Sequence, residues 1–129
     1  NRGIEEELLP VCQERGIGII GYGAMGGGVL TGKYGSKIPN FKKYDARNML
    51  YTFYEKENFR KVEAFLKEFK GFGRPLNQLA LNWVRQQPGV MTVLAGCRDH
   101  GQVKENYSAA DWDLSSEEIS SLNKVEILS

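Results

Sequence analysis

Two apolar runs in this chain each break into a glycine-bearing polar stretch, at Ile17 to Gly28 and at Val90 to Asn106. Neither run alternates apolar with polar residues, so each reads as a parallel-type strand buried on both faces rather than as one half of a solvated hairpin. A strand that ends in glycines and polar groups places small residues and hydrogen-bonding side chains at its carboxyl end. In β/α barrels that is where ligands lie, with phosphates held by the loops after the last two strands and by a nearby helix N-terminus.

The rest of the chain supplies helices between and after these strands. Ile4, Leu8, Val11 and Cys12 fall at helical spacing, with Glu5, Glu6 and Glu7 ahead of Arg15 in the order that suits a helix dipole, and Gly16 closes the pattern. Ile17, Ile19 and Ile20 then lead into Gly21 and Tyr22, where Gly18 and Gly21 are expected to leave room in a crowded interior. From Gly23 to about Thr52 the chain reads as a long loop with a turn at Pro39 and Asn40, and loops of that length are usually functional or mobile, which suits a cover over a cofactor.

Phe59, Val62, Leu66 and Phe69 predict a second helix ending near Gly71. Leu76, Leu79, Ala80, Trp83 and Val84 predict a third, opened by Pro75 and closed by Pro88 and Gly89. Val90 to Ala95 is the second strand; Asp99 with Gln102, and Ser115 with Glu118, carry the spacing of capping boxes, the second before a short helix bearing Ile119, Leu122 and Val125. The expected order is helix, strand, loop, helices, strand, helix, helix.

Charge and composition narrow the function. Lys and Arg total 17 against 16 Asp and Glu, so bulk electrostatics favour neither nucleic acid nor an anionic membrane. No apolar run approaches the roughly 20 residues needed to span a bilayer, and no signal-peptide pattern stands at the start. Cys12 and Cys97 lack CxxC spacing or a His cluster, which predicts free thiols, a reducing compartment and a cytoplasmic protein. The chain has 129 residues, begins at Asn1 rather than Met, and holds two strands where a closed eight-stranded barrel takes about 250 residues. The expectation is a single segment over 1–129, the C-terminal part of a larger barrel, whose exposed strand edges are available to the missing N-terminal half or to self-association.

The run Gly18-Ile19-Ile20-Gly21-Tyr22-Gly23-Ala24-Met25-Gly26-Gly27-Gly28-Val29-Leu30-Thr31-Gly32-Lys33-Tyr34 resembles the seventh strand and following loop of the aldo-keto reductases. Gln78-Leu79-Ala80-Leu81-Asn82-Trp83-Val84, followed by Gly96-Cys97-Arg98-Asp99-His100-Gly101-Gln102-Val103-Lys104-Glu105-Asn106, is similar to the eighth strand and helix of that family, and Leu114 to Leu122 to its closing segment. The resemblance spans nearly the whole chain in the family's order. It implies a partial (β/α)8 TIM barrel of the NADP-linked oxidoreductase type, with two parallel strands and flanking helices, and an enzyme that reduces aldehyde or ketone carbonyls with NADPH.

The same resemblance implies the site. Tyr22 matches the ring that stacks on the nicotinamide, and Gly23, Ala24, Met25, Gly26 and Gly27 match the stretch that approaches the pyrophosphate. Lys33 and Lys43 match basic loop positions that close over it. Gly96 and Arg98 match the 2′-phosphate site, where a guanidinium supplies paired donors and permanent charge and so favours NADP over NAD. Gln102, Glu105 and Asn106 match the positions that bind adenine and its ribose, and their i, i+3, i+4 spacing independently puts them on one helix face.

Where the family often has Ser-Pro-Leu after the aromatic residue, this chain has Gly23-Ala24-Met25, which removes a hydroxyl and loosens the loop. Nothing in the chain aligns with the family's catalytic Asp, Tyr, Lys and His, so no catalytic residue is assigned, and His100 reads as a helix-start residue. Lys37 and Lys42 read as a solvated face, and Arg98 could instead pair with Asp99 or Glu105. Two alternatives to the enzyme reading stay open: a non-catalytic NADPH-binding or redox-sensing barrel module, as in channel subunits of the same superfamily, and an associating part-barrel with no ligand.

Overall fold

The computed structural model describes residues 2–124; Val125, expected on the last helix, lies outside them. In chain order the elements are α1 (Leu8–Glu14), β1 (Ile19–Tyr22), a 3-10 turn (Gly26–Thr31), α2 (Arg47–Leu50), α3 (Lys56–Phe69), α4 (Leu76–Arg85), β2 (Val90–Leu94), α5 (His100–Tyr107) and α6 (Ser116–Asn123). This is the expected order, except that the long stretch after β1 carries its own helical turns.

β1 and β2 pair in parallel, with Gly21 opposite Val93 and Tyr22 opposite Leu94, and one irregularity lies between Ile19 and Ile20. A parallel pair needs a crossover, and α3 and α4 supply it. Because the pair is parallel and in register at its end, the loops after Tyr22 and after Leu94 leave the same edge of the sheet. A side chain at Gly18 would strike the Met91 sulfur on the partner strand at 1.8 Å, and one at Gly21 would meet Val84 of α4 at 2.9 Å. Both glycines are therefore close-packing positions, as expected.

Burial on both strand faces is not observed. Ile20, Tyr22, Met91 and Leu94 are 60, 84, 77 and 60 % exposed, because α4 covers one side of the pair and the other side has no layer over it among the described residues. A similar correction applies to the first helix. Ile4 sits in a separate turn at Gly3–Glu5, Leu8 and Val11 face outward, and α1 packs through Leu9 and Cys12. Of the expected stripe, only Cys12 is buried, while Ile4, Leu8 and Val11 are exposed.

The core lies on the helical side. Phe59, Val62, Leu66 and Phe69 of α3 are all buried, as their 3.6-residue spacing requires. Val29 joins the first three in one cluster, while Phe69 meets Leu79, Leu114 and Leu122 in a second; Phe65 and Leu76 pack against both. Leu114 and Leu122 thereby tie the closing segment to α4. The Ser115–Glu118 capping box is formed as predicted, with Ser115 Oγ accepting from the Glu118 N–H and Glu118 Oε2 from the Ser115 N–H.

Polar groups complete this packing. Arg85 reaches Asp113 and the Trp112 carbonyl, and Gln86 both donates to and accepts from the Leu114 backbone, so the end of α4 clasps the segment before α6. Asn82 is fully buried, with its carbonyl taking two bonds from Arg85.

Candidate cofactor site

Four glycines dictate the backbone after β1. Gly23, Gly26, Gly27 and Gly28 all have positive φ, at 67, 56, 64 and 102°, a region that side-chain-bearing residues rarely enter. The result is a tight recess in which the Gly26 N–H bonds to the Gly23 carbonyl at 2.8 Å and the Gly28 N–H to the Met25 carbonyl at 2.9 Å. Those two N–H groups are therefore spent inside the turn. Among the described residues, the Ala24 and Met25 N–H groups make no backbone bond.

The recess has charge beside it. Lys33 Nζ lies 2.8 Å from where a Gly28 Cβ would stand, over the Tyr34 ring at 4.8 Å. The absence of a side chain at Gly28 is what lets the ammonium come this close. Lys43, by contrast, rests near the exposed Tyr44 ring at 5.8 Å, and no described contact joins it to the recess.

A floor and a wall support this loop. Val29 is buried in the α3 cluster, anchoring the turn from below. Beside it Tyr34, Phe41 and Tyr54 make mutual edge-to-face contacts at centroid distances of 4.7 to 6.1 Å. Tyr54 donates to the Gly27 carbonyl at 3.1 Å; burial and then the neighbouring Tyr34 hydroxyl push its phenol above the ordinary value, so it stays a donor. Arg47 packs over Phe41 at 4.0 Å, donates to the Tyr34 hydroxyl at 3.0 Å and grips Asp45 through two nitrogens at 2.8 and 2.5 Å. These bonds hold the Asp45 carboxyl well below the usual carboxylate range, with the charge of Arg98 a smaller contribution.

The loop after β2 is built differently. Asp99 caps α5 by accepting from the Gln102 N–H at 2.9 Å, but the expected return bond goes elsewhere: Gln102 Oε1 accepts from the Arg98 N–H at 3.0 Å, one residue short of a capping box. That shift ties the rim residue Arg98 to the helix. Gly96, Arg98, Gln102 and Glu105 are exposed, and no ion pair joins Arg98 to Asp99 or Glu105 among the described residues. The guanidinium is presented to solvent.

Asn106 is committed within the fold. Its amide nitrogen donates to the Cys97 sulfur at 3.3 Å and its oxygen accepts from Asn77 at 2.9 Å, while Gln78 donates to the Glu105 carbonyl at 2.9 Å. Sequence reasoning left Asn77 and Gln78 without a role, as it did Arg47, Tyr51 and Tyr54. The signal available was two consecutive amides on the buried stripe of a helix, where an unpaired polar group is costly. Cys12 is buried and Cys97 exposed, and both are free thiols.

The structure thus forms two groups on one sheet edge: Tyr22, the glycine recess and Lys33 after β1, and Gly96, Arg98 and the Gln102–Glu105–Asn106 face after β2. A glycine-built turn with a nearby ammonium fits an anion, and an exposed guanidinium beside a helix start fits a second. A parallel β/α unit with its loops on one edge is how β/α barrels present a ligand site.

Comparison with known proteins agrees. The sequence model of the Aldo/keto reductase family matches residues 1–127. Protein tas of Escherichia coli K12 is 33% identical over 129 residues, covering 97% of this chain and 36% of its own length. A probable voltage-gated potassium channel subunit beta of Arabidopsis thaliana is 33% identical over 116 residues, covering 84% of this chain and 34% of its own length. Among solved structures, the glycerol dehydrogenase of Gluconobacter oxydans superposes with a TM-score of 0.83 at 30% identity, over 97% of this chain and 38% of that one. The chain belongs to the aldo/keto reductase family, an α/β fold that matches a TIM barrel and a family that generally uses a nicotinamide cofactor. It spans about a third of the length of these relatives. No described helix is long and apolar enough to cross a membrane.

Proposed function

We propose that this segment is the cofactor-binding end of an NADPH-dependent aldo-keto reductase that works in the cytoplasm and reduces aldehyde or ketone carbonyls to alcohols. The observation that carries this reading is the shared edge: the glycine recess with Lys33 and the loop with Arg98 leave the parallel strand pair side by side. Ala24 and Met25 would donate backbone N–H groups to the pyrophosphate, with Gly23, Gly26 and Gly27 giving it access and Lys33 balancing its charge. Lys43 would reach it after movement of its exposed segment. Tyr22, exposed at the strand end, would stack on the nicotinamide, leaving one ring face open. Arg98, beside Gly96, would read the 2′-phosphate, and Gln102 and Glu105 the adenosine, with Asn106 holding the rim loop and the helix in place for them.

Bound there, the cofactor would supply hydride to a carbonyl substrate. The proton and the catalytic tetrad would come from parts of the barrel outside this chain, so the chain by itself is expected to be inactive. Its open strand face, with Ile20, Tyr22, Met91 and Leu94, would be covered by the rest of the barrel, and in the isolated chain by a second copy.

Tryptophan fluorescence titration with NADPH and NADH, on the chain alone and within a completed barrel, with light scattering for mass, tests this. The expected result is saturable binding that prefers NADPH and loses most of that preference in Arg98→Met. Equal affinity for both dinucleotides in the unaltered protein would sink the assignment of Arg98. The likeness to a channel β subunit favours a second reading, a barrel module that binds NADPH as a redox signal. Absence of carbonyl reduction by a completed, NADPH-loaded barrel would select it.

A further inference from the structure

Helix α5 carries the adenosine face of the site proposed above, yet none of its eight residues is buried among the described residues. Apolar packing therefore does not set its position within this chain. The ties that reach it from α4 are polar and come from consecutive residues: Asn77 Nδ2 donates to the Asn106 side-chain oxygen at 2.9 Å, and Gln78 Nε2 donates to the Glu105 carbonyl at 2.9 Å. Both amide side chains belong to buried residues, at 6 and 8 % exposure.

The Glu105 carbonyl lies in the last turn of α5, where helix carbonyls run out of partners within their own helix. Its neighbours Lys104 and Asn106 both accept from the Ser108 N–H, and Glu105 is reached from outside the helix by Gln78. Gln78 can donate there only if its amide is turned one way. Trp112 fixes that direction, because an indole N–H can only donate and this one donates to Gln78 Oε1 at 3.0 Å, which leaves the Gln78 nitrogen for Glu105.

Trp112 is itself held on three sides. Its backbone carbonyl accepts from Arg85 at 3.1 Å, the Arg74 guanidinium lies over its ring at 4.4 Å, and it packs against the cluster of Phe69, Leu79, Leu114 and Leu122. A continuous path thus runs from the core through Trp112 and Gln78 to the end of the helix that presents Gln102 and Glu105.

We propose that Gln78 is a positioning residue for adenosine recognition, with Trp112 setting the direction of its amide, so that the segment after α5 governs how tightly α5 holds the adenosine half of the dinucleotide. The proposal rests on the cofactor reading above and adds to it a residue whose own bonds are to the protein. A buried amide bonded to two different elements carries the position of one to the other, and loss of such a bond is worth about two- to tenfold in an equilibrium that depends on it.

Adenosine 2′,5′-bisphosphate, which is the adenosine half alone, is the probe, titrated by calorimetry into the protein with its barrel complete. Gln78→Met, which keeps the length of the side chain and removes both bonds, should weaken its binding about fivefold or more, and Trp112→Phe, which keeps a ring and removes the indole donor, about twofold or more. Reduced nicotinamide mononucleotide, which lacks the adenosine half, should bind all three forms alike. A second readout needs no substitution and so does not depend on how the variants fold: in the unaltered protein the 15N-resolved indole N–H signal of Trp112 should shift on saturation with the bisphosphate, while that of Trp83, bonded to Asn123, stays in place. Unchanged affinity in both variants, an equal loss for reduced nicotinamide mononucleotide, or a Trp112 signal indifferent to the bisphosphate would each overturn the proposal while leaving cofactor binding standing. An unaltered protein that binds neither NADPH nor the bisphosphate would instead remove the cofactor reading, and the role of Gln78 with it.

Discussion

The two loops that leave the common sheet edge are held by different mixtures of contacts. The loop after β1 rests on hydrophobic support: Val29 enters the α3 core, and Tyr34, Phe41 and Tyr54 build an aromatic wall around Arg47. The loop after β2 has no such floor among the described residues, and hydrogen bonds hold it, from Asn77 to Asn106, from Gln78 to the Glu105 carbonyl and from the Gln102 N–H to Asp99. Apolar contacts are non-directional and let a covering segment shift between positions, while hydrogen bonds fix donors and acceptors at set angles. On the proposed function, the first loop would take the pyrophosphate and the second would hold Arg98 in one register.

Removing the apolar floor should do the most damage. Phe59→Ala, at a residue buried against Val29 and stacked near Tyr54, should cost about 3–5 kcal/mol in urea-induced unfolding. The loss should loosen the β1 loop, seen as faster amide exchange from Gly26 to Thr31, with α5 affected only through the global loss of stability. Equal local loosening of both loops would break the contrast.

On the other side, Asn77→Ala leaves the Asn106 oxygen without its donor and should cost about 1–3 kcal/mol. Amide exchange along His100–Tyr107 is the measurement that locates the loss. The aromatic wall should be untouched, so near-ultraviolet circular dichroism should keep its shape.

Smaller still is the cap. Asp99→Ala should cost about 1 kcal/mol and fray the start of α5, weakening the hold of Gln102 on the Arg98 N–H. A drop in NADPH affinity larger than the drop in NADH affinity would show that the cap sets the position of the 2′-phosphate reader.

The last test is in acid. Asp45 is held below its ordinary value, so its contribution is present above the unfolded-state value and is lost only as pH falls through the lower folded one. The Asp45–Arg47 brace should therefore persist through pH 4 and open only in stronger acid, which an NMR titration of the Asp45 carboxyl checks. Opening near pH 4 would mean that Arg47 does not hold the segment.

Periodicity made α3 legible, because Phe59, Val62, Leu66 and Phe69 meet a core whatever lies on the other side of the helix. Capping chemistry did the same for the Ser115 cap, while the glycine stretch after β1 was read only through the family resemblance and its positive φ at Gly23, Gly26, Gly27 and Gly28 came from the structure. Strand burial was not legible: apolar runs at Ile17–Ile20 and Val90–Leu94 state a demand for cover, and whether cover is present depends on what the chain packs against. The outward stripe of α1 is the same case.

The sequence by itself determined the family, the order of elements and the parallel strands, because each of these depends on spacing within a few residues or on a motif read as letters. Only the tertiary structure decided that Asn106 is spent on Asn77 and Cys97, that Lys33 stands over Gly28 while Lys43 does not, and that Tyr51 lies across the recess. Those outcomes join residues up to 29 positions apart, and no local preference encodes which of several nearby polar or aromatic groups fills a given space. Packing settles that choice, since each group goes where its bonds and its volume are satisfied together.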